Sequence, residues 1–419
     1  MANAPNFLTD TPLAFLRSAG QRKADREHAA HALEESVRQL QVRRRRLDPE
    51  IDPPSAATLG LLAPEFCLEH RVIPWGTVGD ATLIATSHHD DASQLQDMLE
   101  RQIGPVIFAS IAEADLLEFL AEKHASYLVE RAETQVLDEL SCRDINKLSW
   151  KRGIAASLFF GICLALIYTY PQAFFVGATV AAIANLAACT LFKIAVFMAR
   201  YKKPPGKPVV VPLAAGPVVS VLIPMFKEAA IAEELVQRLS RLSYPKSLLD
   251  ILIVLEEKDA DTYAKLMHLS LPGWVRIVRV PTGRVTTKPR ALNYAMHFSR
   301  GDIIGILDAE DAPATDQIER VVETFHAAPP EVACVQGILD FYNPHANWIS
   351  RCFTIEYATW FRVVLAGAAR LGFSIPLGGT TVYLKRSALA HVGGWDAHNV
   401  TEDADLGVRL ARYGYKTWL

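Results

Sequence analysis

The sequence predicts an α/β protein in which a largely parallel sheet domain follows a membrane hairpin and a small α+β domain. Beyond residue 218, short apolar strands alternate with amphipathic helices, which is typical of a sheet covered on both faces. The stretch Gly153–Phe192 contains no Asp, Glu, Lys or Arg. At 419 residues, the chain is long enough for two or three separate units.

The N-terminal part divides into a lead segment, a small domain and a connector. Residues 1–57 are rich in Arg and Glu and end in a proline-containing stretch, so we expect a partly helical or mobile segment. In residues 58–128, helical and strand patterns alternate, which predicts a small α+β domain. Residues 129–150 form a predicted helical connector. The helices predicted in the small domain are Leu62–His70, Ser93–Arg101 and Ala112–His124, and its strands are 72–75, 81–86 and 106–110.

Residues 151–200 are predicted to form two transmembrane helices, since one crossing needs about 20 apolar residues. Aromatic residues and a proline within 168–172 supply a turn between the spans. Basic residues flank the apolar stretch on both sides, which places both ends in the cytoplasm and the turn outside. The alternative is a buried core hairpin. The flanking residues are Lys147, Lys151 and Arg152 before the stretch, and Arg200, Lys202, Lys203 and Lys207 after it.

Cysteine and charge patterns exclude several kinds of site. The six cysteines are scattered without a C-x-x-C pair or a nearby histidine cluster, which favours reduced thiols in a cytoplasmic compartment over a zinc site. The net charge of −3 indicates no particular partner. The basic run Arg43–Arg46 has no interleaved aromatic residues, so we expect no nucleic-acid binding. Residues 1–41 contain no sustained apolar core, so no signal peptide is visible.

A proline-rich linker over residues 201–217 leads into a domain over residues 218–419. Its prolines make it extended and semi-rigid, which suits a domain boundary. A helix predicted over Ile349–Leu371 lies either at the membrane surface or in the core, beside the place where we expect a second substrate to bind. The other elements predicted in this domain are the strands Val218–Ile223, Ile251–Leu255, Val275–Val280 and Ile303–Leu307, and the helices Ala230–Leu242 and Pro289–Phe298.

Two acidic groups in this domain carry the candidate chemistry. Asp308 and Glu310 follow a predicted strand, and ligands gather at the carboxyl ends of the strands in such a sheet. Carboxylates one residue apart at that place can chelate Mg²⁺ or Mn²⁺ together with a diphosphate, although a surface turn explains the same acids when they are taken alone. Asp403, in the second group, can supply a carboxylate base. Transfer of a sugar from a nucleotide donor to a hydroxyl requires both features.

The order and spacing of six motifs resemble those of family 2 glycosyltransferases. The chain is most similar to the membrane-bound, polysaccharide-making branch that includes cellulose synthase catalytic subunits, and within it to XagB-type exopolysaccharide glycosyltransferases. The resemblance covers residues 218–419 and implies a GT-A-like fold. The six motifs are Pro224–Glu228, Lys288–Asn293, Asp308–Pro313, Val335–Gly337, Gly378–Thr380 and Thr401–Asp403.

The resemblance implies roles for individual residues. Asp403 would be the general base of an inverting transfer, supported by Thr401 and Glu402 of the same motif. Acids such as Glu402 and Asp405 are also favoured by the dipole at a helix N-terminus. Many relatives have aspartate at the position of Glu310. On the donor side, the nucleobase pocket would be shaped by Pro224, Phe226 and Glu228, and Glu256 would face the uridine. Lys288 would approach the diphosphate. Mg²⁺ or Mn²⁺ would be held by Asp308 and Glu310, with Asp311 as their support.

The roles together imply transfer of a hexose from a UDP-sugar to a growing exopolysaccharide. The protein would be a multi-pass protein of the bacterial inner membrane, in contact with lipid, with its catalytic domain in the cytoplasm. The alternative is a catalytically silent scaffold or a signal-receiving subunit whose working part is the N-terminal domain. Processive relatives carry Q-x-x-R-W and further membrane helices after the Thr401 motif, so we expect a C-terminally truncated chain that holds the acceptor incompletely.

Residues 58–125 resemble the N-terminal domain of type II secretion ATPases and the related MshE proteins. Such domains dock to partners and some bind cyclic di-GMP, so a regulatory partner or a cyclic dinucleotide is a candidate ligand here. The repeats associated with the nucleotide are not recognisable in this sequence. No G-x-x-x-x-G-K-[ST] motif occurs in the chain, so the ATPase function is not implied. The matching segments are Leu62–Phe66, His70–Pro74, Leu83–Thr86 and Ile111–Asp115.

Overall fold

A computed structural model describes residues 46–87, 92–144, 150–201 and 216–419. The chain forms two compact units, one ending at Ala125 and the other beginning at Ser126. Most of the predicted lead segment and most of the predicted linker lie outside the described residues, as do the flanking lysines Lys147, Lys202, Lys203 and Lys207.

The N-terminal unit is built on a four-stranded sheet with the strand order β1-β4-β3-β2. Strands β2 and β3 pair antiparallel, and the other neighbours pair parallel. Its core is apolar, with Val72, Ile73, Ile84 and Leu116 fully buried. The elements are β1 (Arg46–Leu47), α1 (Pro64–His70), β2 (Val72–Val78), β3 (Ala81–Thr86), α2 (Ala92–Ile103), β4 (Val106–Ile111) and α3 (Glu113–Lys123).

Two long apolar helices follow a short connecting helix, α4 (Ala125–Thr134). They are α5 (Trp150–Thr169) and α6 (Pro171–Ala199), and both are long and apolar enough to cross a membrane. Pro171 is the first residue of α6, where its fixed φ and missing N–H are tolerated, so it separates the two helices. Their side chains are exposed over most of their length, as expected for surfaces that face lipid.

The C-terminal part of the second unit contains a seven-stranded sheet with the order β11-β9-β10-β8-β5-β6-β7. Only β10 runs against its neighbours in this sheet, so the predicted α/β fold with a largely parallel sheet is confirmed. The strands are β5 (Val219–Met225), β6 (Leu249–Glu256), β7 (Val275–Val280), β8 (Ile303–Ile306), β9 (Val332–Gln336), β10 (Val382–Lys385) and β11 (Lys416–Trp418).

Helices cover this sheet and the strands are buried beneath them. Every residue of β6 and β8 is buried, as in a parallel sheet with both faces covered. At the amino end of the strands, buried Asp250 accepts a hydrogen bond from Ser220 Oγ (2.6 Å) and pairs with Arg276 (2.6 Å). This edge is therefore closed by paired polar groups. The helices are α7 (Ala232–Ser240), α8 (Ala260–Met267), α9 (Lys288–Met296), α10 (Gln317–Ala327), α11 (Trp348–Thr359), α12 (Ala366–Arg370), α13 (Arg386–His391) and α14 (Glu402–Arg412).

The helix predicted over Ile349–Leu371 is interrupted. A π-helical turn over Trp360–Leu365 separates α11 from α12, and such turns are frequent at functional sites. Gly367 of α12 packs against α6, since a Cβ atom at this position would lie 2.1 Å from the carbonyl oxygen of Val196. The absence of a side chain thus permits close contact between this helical segment and the end of the second apolar helix.

Candidate active site

The candidate site lies at the carboxyl ends of β5, β6 and β8. Two residues after the end of β5, Lys227 adopts a left-handed conformation with φ of 60°, which is strained for a residue with a side chain. The carboxylate of Asp259 accepts a hydrogen bond from the Lys227 backbone N–H (2.6 Å) and stabilises this conformation. This turn places Glu228 near residues 308–311, here called the acidic loop, which follow β8.

An ion pair joins that acidic loop to the start of α9. Lys288, the first residue of α9, donates hydrogen bonds from Nζ to Asp308 Oδ1 (2.5 Å) and to the carbonyl oxygen of Gly379 (2.8 Å). Both side chains of the ion pair are partly exposed. The predicted diphosphate-binding lysine and the predicted metal-binding aspartate are therefore adjacent, and Gly379 from a third loop adjoins them.

Asp311 fixes the shape of the acidic loop from beneath. Its Oδ2 accepts hydrogen bonds from the backbone N–H of Asp308 (2.8 Å) and from the hydroxyl of Thr380. Burial raises the pKa of the Asp311 carboxyl. Since these contacts hold the Asp308 backbone, they are consistent with the supporting role that we predict for Asp311.

Gln336 anchors the loop that contains Gly378 and Thr380. This buried side chain donates to the carbonyl oxygen of Thr380 (3.1 Å) and accepts from the backbone N–H of Gly378 (2.9 Å). The next residue, Thr381, has a φ of 52°, a second strained conformation at this edge. Gln336 and Gly378 both lie in motifs that are recognisable in the sequence, but their contact joins residues 42 positions apart and is not visible in either motif.

Asp403 lies in the first turn of α14, facing the loop of Gly379. A Cβ atom at Gly379 would lie 3.2 Å from Asp403 Oδ2 and 3.8 Å from Lys288 Nζ, so the glycine leaves room between the two charged groups. The Asp403 Oδ1 atom accepts from the backbone N–H of Ala404 (2.7 Å). The predicted base, diphosphate lysine and metal aspartate thus surround one glycine.

The neighbours of Asp403 in its motif have different environments. Glu402 is buried, and burial raises the pKa of its carboxyl. Thr401 is exposed and donates from its backbone N–H (3.0 Å) and its hydroxyl (3.1 Å) to Asn399 Oδ1. Asp405 pairs with the buried Arg409 (2.7 Å), which gives it a structural partner on the same helix.

Glu228 lies close to several other carboxylates at the carboxyl ends of the strands. Burial raises the pKa of its carboxyl, and the nearby carboxylates of Glu310, Asp308 and Asp259 raise it further. Within the described part of the chain, its Oε2 atom is buried without a hydrogen-bond partner. An added cation would compensate both the charge and the unsatisfied oxygen.

A divalent metal fits this site only with oxygen atoms from a ligand. Asp308 and Glu310 present carboxylates one residue apart, and hard cations such as Mg²⁺ prefer such oxygen donors. In the ranges that the structure describes, no group of three or more His, Cys, Asp or Glu side chains is arranged to hold a metal. The unsatisfied oxygen of Glu228 and the crowding of carboxylates are nevertheless consistent with a cation that arrives with a diphosphate.

The remaining residues predicted to bind the sugar donor differ in exposure. The Phe226 ring is 44% exposed, and the Nζ atoms of Lys227 and Lys258 each lie 5.3 Å from its centroid. Pro224 lies two residues earlier, near the end of β5. Glu256, in contrast, is buried and paired with Arg290 (2.7 Å).

Arg290 was not assigned a role from the sequence. It is fully buried in α9 and donates from Nη1 to the carbonyl oxygen of Pro281 (2.8 Å) in addition to its pair with Glu256. The K-P-R motif contains this arginine, but a buried partner 34 residues away is not visible in the motif. The Oε1 atom of Glu256 is buried and has no hydrogen-bond partner in the described residues.

A large, mainly apolar cavity opens beside Asp403. Its volume is about 1250 Å³, and it extends from Gly379 and Asp403 to the end of the apolar helix α6. The π-helical turn forms another wall. The apolar lining includes Phe192, Val196, Phe197, Trp360, Phe361 and Val364.

Glu228→Gln is expected to stabilise the metal-free protein. The raised pKa means that folding disfavours the ionised carboxylate, so its stabilising contribution is lost as pH rises above the usual carboxyl range through the folded-state pKa. Removing the charge should increase the free energy of unfolding by about 1 kcal/mol, or a few degrees in Tm. Thermal unfolding at pH 8 and pH 5 measures this, and a gain that is not larger at pH 8 would contradict the explanation.

Family comparisons assign two domains to the chain. Residues 216–419 match the family described as Glycosyltransferase like family 2. Residues 40–124 match the MshEN domain, which begins earlier than the boundary at residue 58 drawn from the sequence.

Curated relatives match the C-terminal domain. The chain is 30% identical over 206 residues to a beta-monoglucosyldiacylglycerol synthase of Synechocystis sp., covering 48% of this chain and 41% of the relative. It is 27% identical over 212 residues to glucomannan 4-beta-mannosyltransferase 7 of Arabidopsis thaliana, covering 48% and 38%. The chain thus spans about two fifths of the length of these relatives.

A solved structure shows a partial likeness. The mannosyltransferase PcManGT from Pyrobaculum calidifontis, in complex with GDP-Man and Mn²⁺, aligns with a TM-score of 0.43 and 22% identity, covering 57% of this chain and 64% of the other. Together with the motif order and the sheet topology, the family match identifies residues 216–419 as a family 2-like glycosyltransferase domain that follows an MshEN domain.

Proposed function

We propose that the protein is an inverting glycosyltransferase that moves a hexose from a UDP-sugar to a growing exopolysaccharide at the bacterial inner membrane. The observation that carries the proposal is the convergence of Lys288, Asp308 and Asp403 around Gly379. Three separate segments of the chain supply these groups. Lys288 supplies a positive charge for a diphosphate, and Asp308 supplies a carboxylate for the cation that would accompany it. Asp403 supplies a carboxylate suited to act as a base.

The donor would bind at the ends of β5, β6 and β8. The exposed ring of Phe226 can stack on a nucleobase, and the two lysines beside it add positive charge. Lys288 can exchange its contact with Asp308 for a phosphate oxygen. Asp308 and Glu310 would hold Mg²⁺ or Mn²⁺, which neutralises charge on the departing diphosphate.

The acceptor would approach through the cavity next to Asp403. The carboxylate of Asp403 can remove the proton from an acceptor hydroxyl as the hydroxyl oxygen attacks the anomeric carbon. The attack comes from the side opposite the departing diphosphate, so the configuration is inverted. The cavity reaches α6, so the acceptor would approach from the membrane side. The named relatives, a glucosyl lipid synthase and a mannosyltransferase, support a hexose as the transferred sugar.

The proposal is tested by measuring UDP binding and UDP release. The full chain in lipid nanodiscs should bind UDP more tightly with Mn²⁺ than without it, and calorimetry measures this difference. A panel of UDP-hexoses should then identify the donor through UDP release in the presence of membrane extract. A chain that binds no UDP under either condition would favour the alternative of a silent scaffold.

The membrane topology gives a separate prediction. If α5 and α6 cross the membrane with both ends in the cytoplasm, a cysteine at Tyr168 should react with a membrane-impermeant reagent in intact cells. A cysteine at the exposed Glu139 of the connector should react only after lysis. Labelling is compared with the wild-type chain to account for its native cysteines. Labelling of the Glu139 position in intact cells would overturn the topology.

A further inference from the structure

Residues 132–142, here called the strap, run along two loops of the glycosyltransferase domain. One loop, 281–287, leads directly into Lys288 at the start of α9. The other, 393–400, leads into α14 and Asp403. The strap follows the MshEN domain in the chain and is part of the same compact unit as the glycosyltransferase domain. It therefore contacts the segments that precede two of the three converging residues.

The first attachment is a buried carboxylate. Glu133 is 5% exposed, and its Oε1 accepts hydrogen bonds from the backbone N–H groups of Arg284 (2.7 Å) and Val285 (3.3 Å). Gly283 packs directly on this carboxylate, because a Cβ atom there would lie 2.3 Å from Glu133 Oε1 and 2.4 Å from Arg290 Nη1. The loop before Lys288 thus depends on the strap for hydrogen-bond acceptors.

The second attachment is a buried aspartate of the other loop. Asp396 has no exposed surface and accepts hydrogen bonds from Ser141 Oγ (2.8 Å) and from the Cys142 backbone N–H (2.6 Å). Gly394 adopts a φ of +69°, and a Cβ atom there would lie 2.0 Å from Gln135 Nε2. The strap therefore occupies the space that a side chain at this position would need.

Further hydrogen bonds connect the strap with the loop 393–400 and connect the two loops with each other. Buried Asn293 of α9 donates from Nδ2 to the carbonyl oxygens of Ala132 (2.9 Å) and Trp395 (2.7 Å). Thr287, adjacent to Lys288, donates from its hydroxyl to the carbonyl oxygen of Ala397 (2.9 Å). A displacement of the strap would therefore change the position of both loops.

We propose that the strap positions Lys288 and Asp403 relative to each other, with Glu133 as its principal positioning residue. Glu133 acts on donor binding through the loop 281–287 and does not touch the donor. The inference rests on the proposed function, because it assigns Lys288 to the diphosphate.

The test uses three variants of the full chain in nanodiscs. Glu133→Ala removes the acceptor, Glu133→Gln keeps an acceptor oxygen, and Glu130→Ala changes an exposed acid on the same helix. Glu133→Ala should weaken UDP binding in Mn²⁺ by about five- to tenfold, whereas Glu133→Gln should stay within about twofold of the wild type. Hydrogen exchange at Arg284 and Val285 should accelerate in Glu133→Ala and remain unchanged in Glu130→Ala.

The two measurements separate the contact from its consequence. Exchange that does not accelerate in Glu133→Ala would overturn the attachment. Faster exchange with unchanged UDP binding would overturn the positioning role and leave the proposed function intact. A wild-type chain that binds no UDP would contradict the proposed function and, with it, the role in positioning Lys288.

Discussion

Asp403→Asn is expected to reduce glycosyl transfer by about 10²–10⁴-fold, the range typical for loss of a positioned general base. Asparagine is nearly isosteric and can still accept the N–H of Ala404, so the first turn of α14 should keep its structure. UDP binding in Mn²⁺ should be unchanged, because Lys288 and Asp308, and not Asp403, are the residues proposed to hold the diphosphate and its cation. The measurement compares UDP release in the presence of acceptor with calorimetric UDP affinity.

Asp405→Asn is the matched control for this variant. It makes the same chemical change two residues later on α14, but Asp405 is paired with Arg409 and is absent from the cavity lining. It should lower stability with little effect on transfer. Equal losses of transfer in both variants would show that Asp403 acts through the structure of the helix and is not the base.

The sequence predicts the elements of this fold better than the contacts between them. Strands such as β6 and β8 are recognisable because they are continuously apolar and short, and the acids that follow them point to the carboxyl edge of the sheet. Within the described residues, the predicted Lys288, Asp308 and Asp403 converge. Their motifs are local, and the topology of a parallel sheet determines where such local motifs meet.

Contacts across long stretches of sequence could not be predicted in this way. The strap reaches Asp396 from Ser141, 255 residues earlier, and neither residue belongs to a periodic pattern. In the sequence, Glu133 looks like an ordinary acid on a helix surface. Its burial follows from tertiary packing alone. The π-helical turn was also not predictable, since the apolar spacing of residues 349–371 suits a continuous helix.

Asp308→Asn is expected to remove most of the dependence of UDP binding on metal. The variant loses one of the two carboxylates proposed to hold the cation, and loss of even an indirect metal partner costs about 10–100-fold in affinity. In Mn²⁺, the affinity for UDP should therefore fall by at least about 10²-fold. Calorimetry with and without Mn²⁺ measures the difference, and far-UV circular dichroism checks that the fold is retained.

Binding without metal makes this prediction more specific. In the wild type, Asp308 holds Lys288 Nζ at 2.5 Å, so the ammonium group is engaged before the donor arrives. The variant releases that ammonium group, and UDP binding without metal should stay equal or become tighter. Asp316→Asn, which changes an exposed acid paired with Arg320, is the control and should alter neither affinity.

The opposite pattern would contradict the metal site. If Asp308→Asn weakened UDP binding equally with and without Mn²⁺, Asp308 would act by positioning Lys288 and not by holding a cation. If the variant retained the full effect of Mn²⁺, the cation would bind elsewhere. A loss confined to the metal-dependent part would explain why Glu228, Asp308 and Glu310 are crowded at one edge, since the cation would compensate their charge while the donor is bound.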